Sequence, residues 1–224
     1  MILKLEDVSG GYGDTLVHRD FSLELERGKV LCVIGRNGTG KTTLARMIGG
    51  EIPFASGRMM LDGKDVTTMP AWDRAKAGIS RMPQTEPVFD ALTVADNIAL
   101  VGNVDLGELG VRFPRMVERM DQEAGSLSGG ERKILGFVRT MLTPSKVVIL
   151  DEPSEGVQPE NIVHMQTSIL EARDNGAACI LLEQNISMVE ALADEVIAID
   201  SGKIVYRASG HQISRDAMLE AISL

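Results

Sequence analysis

Gly35-Arg36-Asn37-Gly38-Thr39-Gly40-Lys41-Thr42 matches Gly-x-x-x-x-Gly-Lys-Thr, a spacing suited to holding phosphate. Its glycines let successive backbone N–H groups point inward without a Cβ in the way. The residues that follow, Thr43-Leu44-Ala45-Arg46-Met47-Ile48, read as helix, whose N-terminus adds partial positive charge. Lys41 can reach the β- and γ-phosphates, and the Thr42 hydroxyl can bind Mg²⁺.

Asp151 and Glu152 form a second group. They follow the apolar run Val147-Val148-Ile149-Leu150, so two carboxylates leave the C-terminal end of a central strand. Ligands of open α/β sheets bind at that edge. Asp151 is placed to hold Mg²⁺ beside Thr42, and Glu152 to face an attacking water as general base. A third group, Leu127-Ser128-Gly129-Gly130-Glu131, opens another helix and makes a second anion site. One domain does not need two helix-borne phosphate sites for one nucleotide. A dimer does, if each nucleotide lies between the loop of one subunit and the Ser-Gly-Gly of the other.

Strands and helices must place these groups. Val30-Leu31-Cys32-Val33-Ile34 is the strand that delivers the phosphate loop, and Gly49-Gly50 ends the helix after it. Before it, Ile2 to Val8 and Phe21 to Glu26 read as strands, with a turn at Gly10-Gly11-Tyr12-Gly13-Asp14. Arg58 to Leu61 and Ile79 to Met82 are short strands around a helix at Ala71 to Ala77. From Gln84 to Gly125 the strand signal disappears. Val94 to Val101 and Phe113 to Met120 look helical, with a glycine-spaced connector at Gly102 to Gly110. Ser128 then caps a helix reaching Met141. Cys179 to Leu182 and Val196 to Ile199 are further strands, with helices at Pro159 to Ala172, Ser187 to Ala193 and Ser214 to Ile222. Uninterrupted apolar strands alternating with helices argue for an α/β core around a parallel sheet covered on both faces.

The 224 residues suit one such domain with a small insertion. A net charge of -9 gives no global field favouring nucleic acid or an anionic membrane. Cys32 and Cys179 both fall in strand-like apolar runs, so buried free thiols and a reducing, cytosolic compartment are expected. Met1-Ile2-Leu3 runs into Lys4 and Glu6 rather than into a secretory apolar core. No apolar run is long enough to span a membrane, so other chains must supply any spans.

The order phosphate loop, Leu127-Ser128-Gly129-Gly130, Asp151-Glu152 resembles the ATP-binding subunits of ABC transporters, from Tyr12 to about Tyr206. The resemblance implies a P-loop NTPase core with a mostly parallel sheet and an N-terminal antiparallel β subdomain. It also implies a helical insertion carrying the signature motif. The core would cover about residues 1–83 and 144–224, and the helical part about 84–143. The implied cofactors are ATP and Mg²⁺. Arg36, Asn37, Thr39 and Thr43 join the glycines Gly35, Gly38 and Gly40 around the phosphates. Gln84, in Met82-Pro83-Gln84, looks like the family's glutamine that binds Mg²⁺ and senses the membrane partner. Tyr12 lies where the family stacks an aromatic on adenine; on its own it is a tyrosine in a turn. Ser154-Glu155-Gly156-Val157 sits where the family has its dimer-contacting loop.

Finer detail resembles one ATPase of the branched-chain amino acid importers, or of the related urea and amide importers. The details are Asp151-Glu152-Pro153-Ser154-Glu155-Gly156, Phe113-Pro114-Arg115-Met116 and Glu183-Gln184-Asn185. Gln184 occupies the switch histidine position, where glutamine can hydrogen-bond a γ-phosphate but carries no proton at neutral pH. The implied partners are a second ABC ATPase subunit, permease subunits and, indirectly, a periplasmic solute-binding protein. The implied location is cytoplasmic, peripheral on the inner face of the membrane. Glu131-Arg132-Lys133-Ile134 departs from the family's glutamine-rich run. Competing readings are an ABC ATPase that moves no solute and a nucleotide-binding scaffold without hydrolysis. Tandem domains or coiled-coil insertions would mark the former, and neither is present. Lys41, Asp151 and Glu152 argue against the latter.

Overall fold

The structure, a computed structural model, describes every residue except Glu86, Asn103, Val104 and Leu224, and Ser223 by its backbone alone. The chain opens with strand β1 (Leu3–Tyr12), β2 (Thr15–Leu25) and β3 (Val30–Ile34), then helix α1 (Lys41–Gly49). Next come β4 (Ser56–Leu61), β5 (Lys64–Asp65), α2 (Ala71–Ala77) and β6 (Ile79–Met82). The helical part holds α3 (Val94–Ala99), α4 (Gly107–Arg112), α5 (Pro114–Glu118) and α6 (Gly129–Leu142). The remainder is β7 (Val147–Asp151), α7 (Pro159–Asp174), β8 (Ala178–Leu182), α8 (Ile186–Leu192), β9 (Glu195–Asp200), β10 (Lys203–Ser209) and α9 (Arg215–Ser223).

Two sheets form. The larger runs β10-β9-β3-β8-β7-β6, parallel throughout except for the antiparallel edge strand β10. The smaller, β2-β1-β4-β5, is antiparallel. Every residue of β3, β7 and β8 is buried, because alternate side chains enter two different cores. Cys32, Leu150 and Leu181 pack with Phe137, Met165 and Met188 of α6, α7 and α8. Val33, Ile149 and Ile180 pack with Leu44 and Met47 of α1 and with Leu3, Leu5 and Leu23 of the antiparallel sheet. The C-terminal ends of β3 and β7 are thereby fixed at one edge of the sheet with β8 between them. Both cysteines are free and buried, and burial pushes the Cys179 thiol up to about 12.

Strand β2 starts at Thr15, six residues before the expected Phe21, and two glycine-rich stretches also differ from the sequence expectation. Gly10 and Gly11 lie within β1, which runs on to Tyr12, so only Gly13-Asp14 turns the chain. These glycines answer close approach: a Cβ on Gly11 would stand 2.0 Å from the Thr15 carbonyl oxygen. The register of β1 against β2 shifts here, as glycines at bulges allow. The expected connector Gly102 to Gly110 instead contains the start of α4; its Asn103 and Val104 lie outside the described residues. Tertiary contacts make this helix. Leu106 and Leu109 pack on the core, and Arg112 donates to both carboxylate oxygens of Glu171 at 2.6 Å. Among the described residues no helix is long and apolar enough to cross a membrane.

Candidate nucleotide site

The loop between β3 and α1 is clasped from three sides. A Cβ on Gly35 would sit 2.5 Å from the Ile199 carbonyl oxygen of β9. Gly40 has φ +108 and packs on the buried His18 of β2. The His18 ring nitrogens lie 2.9 Å from the Gly40 carbonyl oxygen and 3.0 Å from that of Gly202. Only glycine accepts both the approach and the left-handed backbone at position 40. Arg36, Asn37 and Gly38 form an exposed tip, while Thr39, Lys41 and Thr43 are buried.

Lys41 folds back into its own loop. Its ammonium donates to the Gly35 carbonyl at 2.7 Å and to the Arg36 carbonyl at 2.9 Å. The Glu152 carboxylate is 3.8 Å away. Burial lowers the lysine pKa, and the neighbouring Glu152 and Asp151 charges partly offset that. Thr42, the second residue of α1, donates its hydroxyl to Asp151 Oδ1 at 3.3 Å. Asp151 Oδ2 is buried and has no hydrogen-bond partner among the described residues. Burial raises this carboxyl from 3.8 to about 6, with the Thr42 bond acting the other way. An orphaned buried carboxylate oxygen beside a threonine hydroxyl is the donor set a hard divalent cation needs. No cluster of three or more His, Cys, Asp or Glu that could hold a metal occurs among the described residues.

Glu152 stands in the left-handed region with φ +49. Its carboxylate accepts from Gln84 Nε2 at 2.6 Å and from Gln184 Nε2 at 2.7 Å. Gln184 also donates to Asn37 Oδ1 at 2.6 Å, which ties the loop after β8 to the tip of the phosphate loop. The structure thus brings Lys41, Thr42, Gln84, Asp151, Glu152 and Gln184 into one connected group. Tyr12, at the end of β1, is about half exposed and accepts from Arg46 Nη1 at 3.1 Å over α1.

Ser128, Gly129 and Gly130 lie elsewhere. Ser128 caps α6 in a capping box with Glu131. Glu131 accepts from the Ser128 backbone N–H at 3.0 Å and from its hydroxyl at 2.7 Å. A Cβ on Gly129 would meet nothing within 4 Å. The motif opens onto a cavity of about 770 Å³ bounded also by Arg112, Phe113, Glu155 and His164, with no residue of the phosphate loop among its walls.

Two side chains carry more than the sequence suggested. Glu183 is buried, and its carboxylate accepts the backbone N–H groups of Ser154, Gln184 and Asn185 at 3.0, 2.9 and 3.0 Å. It sets the loops on either side of Glu152. Lys133 is buried on α6, at helical spacing from the buried Phe137 and Thr140. A lysine on the apolar face of a helix was the available signal.

A family model described as ABC transporter matches residues 18–155. The branched-chain amino acid transport ATP-binding protein BraG of Pseudomonas aeruginosa is 33% identical, over 93% of both chains. A probable branched-chain amino acid transport ATP-binding protein, LivF of Archaeoglobus fulgidus, is 30% identical over 100% of this chain and 98% of its own. LptB of Escherichia coli, a lipopolysaccharide export system ATP-binding protein, is 28% identical over 99% and 96%. Among solved structures, the ATP-binding subunit of an ABC transporter superposes with a TM-score of 0.88 at 23% identity over the full length of both chains. The ADP conformation of MJ1267, an ABC transporter cassette, gives 0.79 at 26% identity over 98% of this chain and 97% of its own.

Proposed function

The chain belongs to the ABC transporter ATP-binding family, whose members hydrolyse ATP, and from that premise we propose that it energises an importer of branched-chain amino acids or a related small polar solute. The observation that carries the catalytic part is the convergence on Glu152. Two amides, from Gln84 and Gln184, grip its carboxylate, and Lys41 lies 3.8 Å from it. Glu152 is the general base that takes a proton from water attacking the γ-phosphate in line. Lys41 leaves its loop carbonyls to neutralise phosphate charge, and the N–H groups of Gly38 to Thr43 hold the phosphate oxygens. Gln84 and Gln184 orient the base and release it as substrate enters. Mg²⁺, held by Thr42, Asp151 and Gln84, would draw charge from the phosphates. The Tyr12 ring would stack on the base of the nucleotide.

Ser128, Gly129 and Gly130 would close the site of a second ABC ATPase subunit. Their distance from the chain's own loop and their opening onto a cavity support that reading. Permease subunits would supply the membrane spans, with this chain peripheral on the cytoplasmic face. The core would take residues about 1–83 and 144–224, and the helical part about 84–143, the stretch that holds α3 to α6.

The importer reading rests on identities of 33% and 30% to branched-chain amino acid relatives, against 28% to lipopolysaccharide export relatives. Uptake of radiolabelled leucine, urea and acetamide by cells with and without the chain tests it. Loss of uptake of one of these solutes supports import. Unchanged uptake of all three with lipopolysaccharide missing from the outer surface would favour export.

A further inference from the structure

Each polar group of Glu152 is held by a different part of the chain. Its N–H donates to the Leu182 carbonyl at 2.9 Å, at the end of β8. Its carboxylate takes the amides of Gln84 and Gln184. Its carbonyl oxygen accepts from Lys133 Nζ at 2.7 Å, and more weakly from the Glu155 N–H at 3.4 Å. The same ammonium donates to Glu155 Oε2 at 3.1 Å. A left-handed backbone at a non-glycine residue is strained and persists only where its surroundings impose it. Lys133 is the restraint that comes from α6, the helix opened by Ser128-Gly129-Gly130.

A second contact joins the same two regions. A Cβ on Gly130 would stand 2.7 Å from the Gly156 carbonyl oxygen, so the first turn of α6 is seated directly on the loop that follows Glu152. From Ser128 to Lys133 is about 7.5 Å along the helix axis. A buried ammonium is costly unless fully bonded, and here both bonds go to the segment Glu152 to Glu155.

We propose that Lys133 is a positioning residue for hydrolysis: its ammonium fixes the backbone of Glu152 to the signature helix, so that a phosphate seated on Ser128–Gly130 sets the general base of this chain's own site. A nucleotide carried by the neighbouring subunit thereby presses α6 into the position in which Glu152 is correctly aimed. The proposal rests on the reading of Glu152 as general base.

Lys133→Met keeps the aliphatic stem and removes the donor, and Lys133→Arg restores a donor. Both are compared with the unmutated full chain by steady-state ATP turnover and by amide hydrogen exchange without nucleotide. Lys133→Met is expected to lower kcat about tenfold or more with KM within about twofold, and Lys133→Arg to stay within about threefold of the parent. Exchange across residues 152–157 should quicken in the Met variant while residues 35–43 stay unchanged. Parental kcat in Lys133→Met, an Arg variant as slow as the Met variant, or exchange quickened uniformly along the chain overturns the proposal. A parent chain that turns over no ATP even when assembled with a second ATPase subunit and permeases defeats the functional reading instead, and the exchange comparison still decides Lys133.

Discussion

The two phosphate-facing regions of the molecule are built on opposite plans. Around the loop of β3 and α1, nearly every polar group is bonded within the chain. Lys41 is tied to Gly35 and Arg36, Gln184 to Asn37 and Glu152, and Gln84 to Glu152. Around Ser128, the internal bonds go to Glu131, three residues away, and Gly129 faces open space. The first region is a group of side chains bonded mainly to one another. The second is a self-capped helix start that opens onto a cavity, which on the proposed reading would form one wall of a partner's site. A capped helix N-terminus needs no partner to keep its shape, so that wall can be ready before any subunit docks.

The sharpest way to break this contrast is at Glu152. Glu152→Gln should lower ATP turnover about 10³-fold while leaving nucleotide affinity near the parent, because only the proton acceptor is lost. Turnover within about tenfold of the parent would remove Glu152 as the base. Ser128→Arg tests the other region. It should lower turnover of the assembled dimer about 10²-fold and leave nucleotide binding by the isolated chain intact. A loss of binding by the isolated chain would mean that Ser128 serves its own loop.

Asp151 tests how the first region stores its readiness for a cation. Its carboxyl sits at about 6 in the fold against 3.8 as a free group, so the fold favours the protonated form more than the unfolded chain does. That preference stabilises the fold fully below about pH 4 and is lost as pH rises through about 6. Asp151→Asn lacks the charge, so its stability relative to the parent should rise by on the order of 2 kcal/mol between pH 4 and 7.5. Paired urea denaturation curves check it; a flat difference across that range means that Asp151 is not strained by burial. The smallest effect belongs to Gln184. Gln184→His should change turnover by no more than about threefold and make it pH-dependent near neutrality. Complete loss would show that histidine cannot replace the bonds of Gln184 to Asn37 and Glu152.

Much of the first region was legible in the sequence, because its chemistry is written in contiguous residues. Gly35 to Thr42 and Asp151-Glu152 each fall at the end of an apolar run, and both runs are strands buried on both faces. Ser128 with Glu131 is a local signal for a helix start, and the structure makes the full capping box. Errors came where tertiary contact overrode local pattern. Gly10-Gly11 marks a bulged strand and not a turn, since its lack of side chains answers Thr15 and Met47 across the fold. Gly107–Arg112 is helical because Arg112 reaches Glu171 on α7.

By itself, the sequence determined which residues could hold phosphate, bind a cation and act as base, since residue type and spacing within one strand–loop–helix unit decide that. It also marked two glycine-flanked helix starts, at Lys41 and at Gly129. Only the tertiary structure decided how they stand to each other. The sheet order places β7 next to β8, which neighbours β3, so Gln84, Gln184 and Lys41 reach Glu152 from segments distant in sequence. The same packing turns Ser128 toward a separate cavity and runs Lys133 under Glu152. Such relations depend on side chains meeting across the core, and no local pattern carries them.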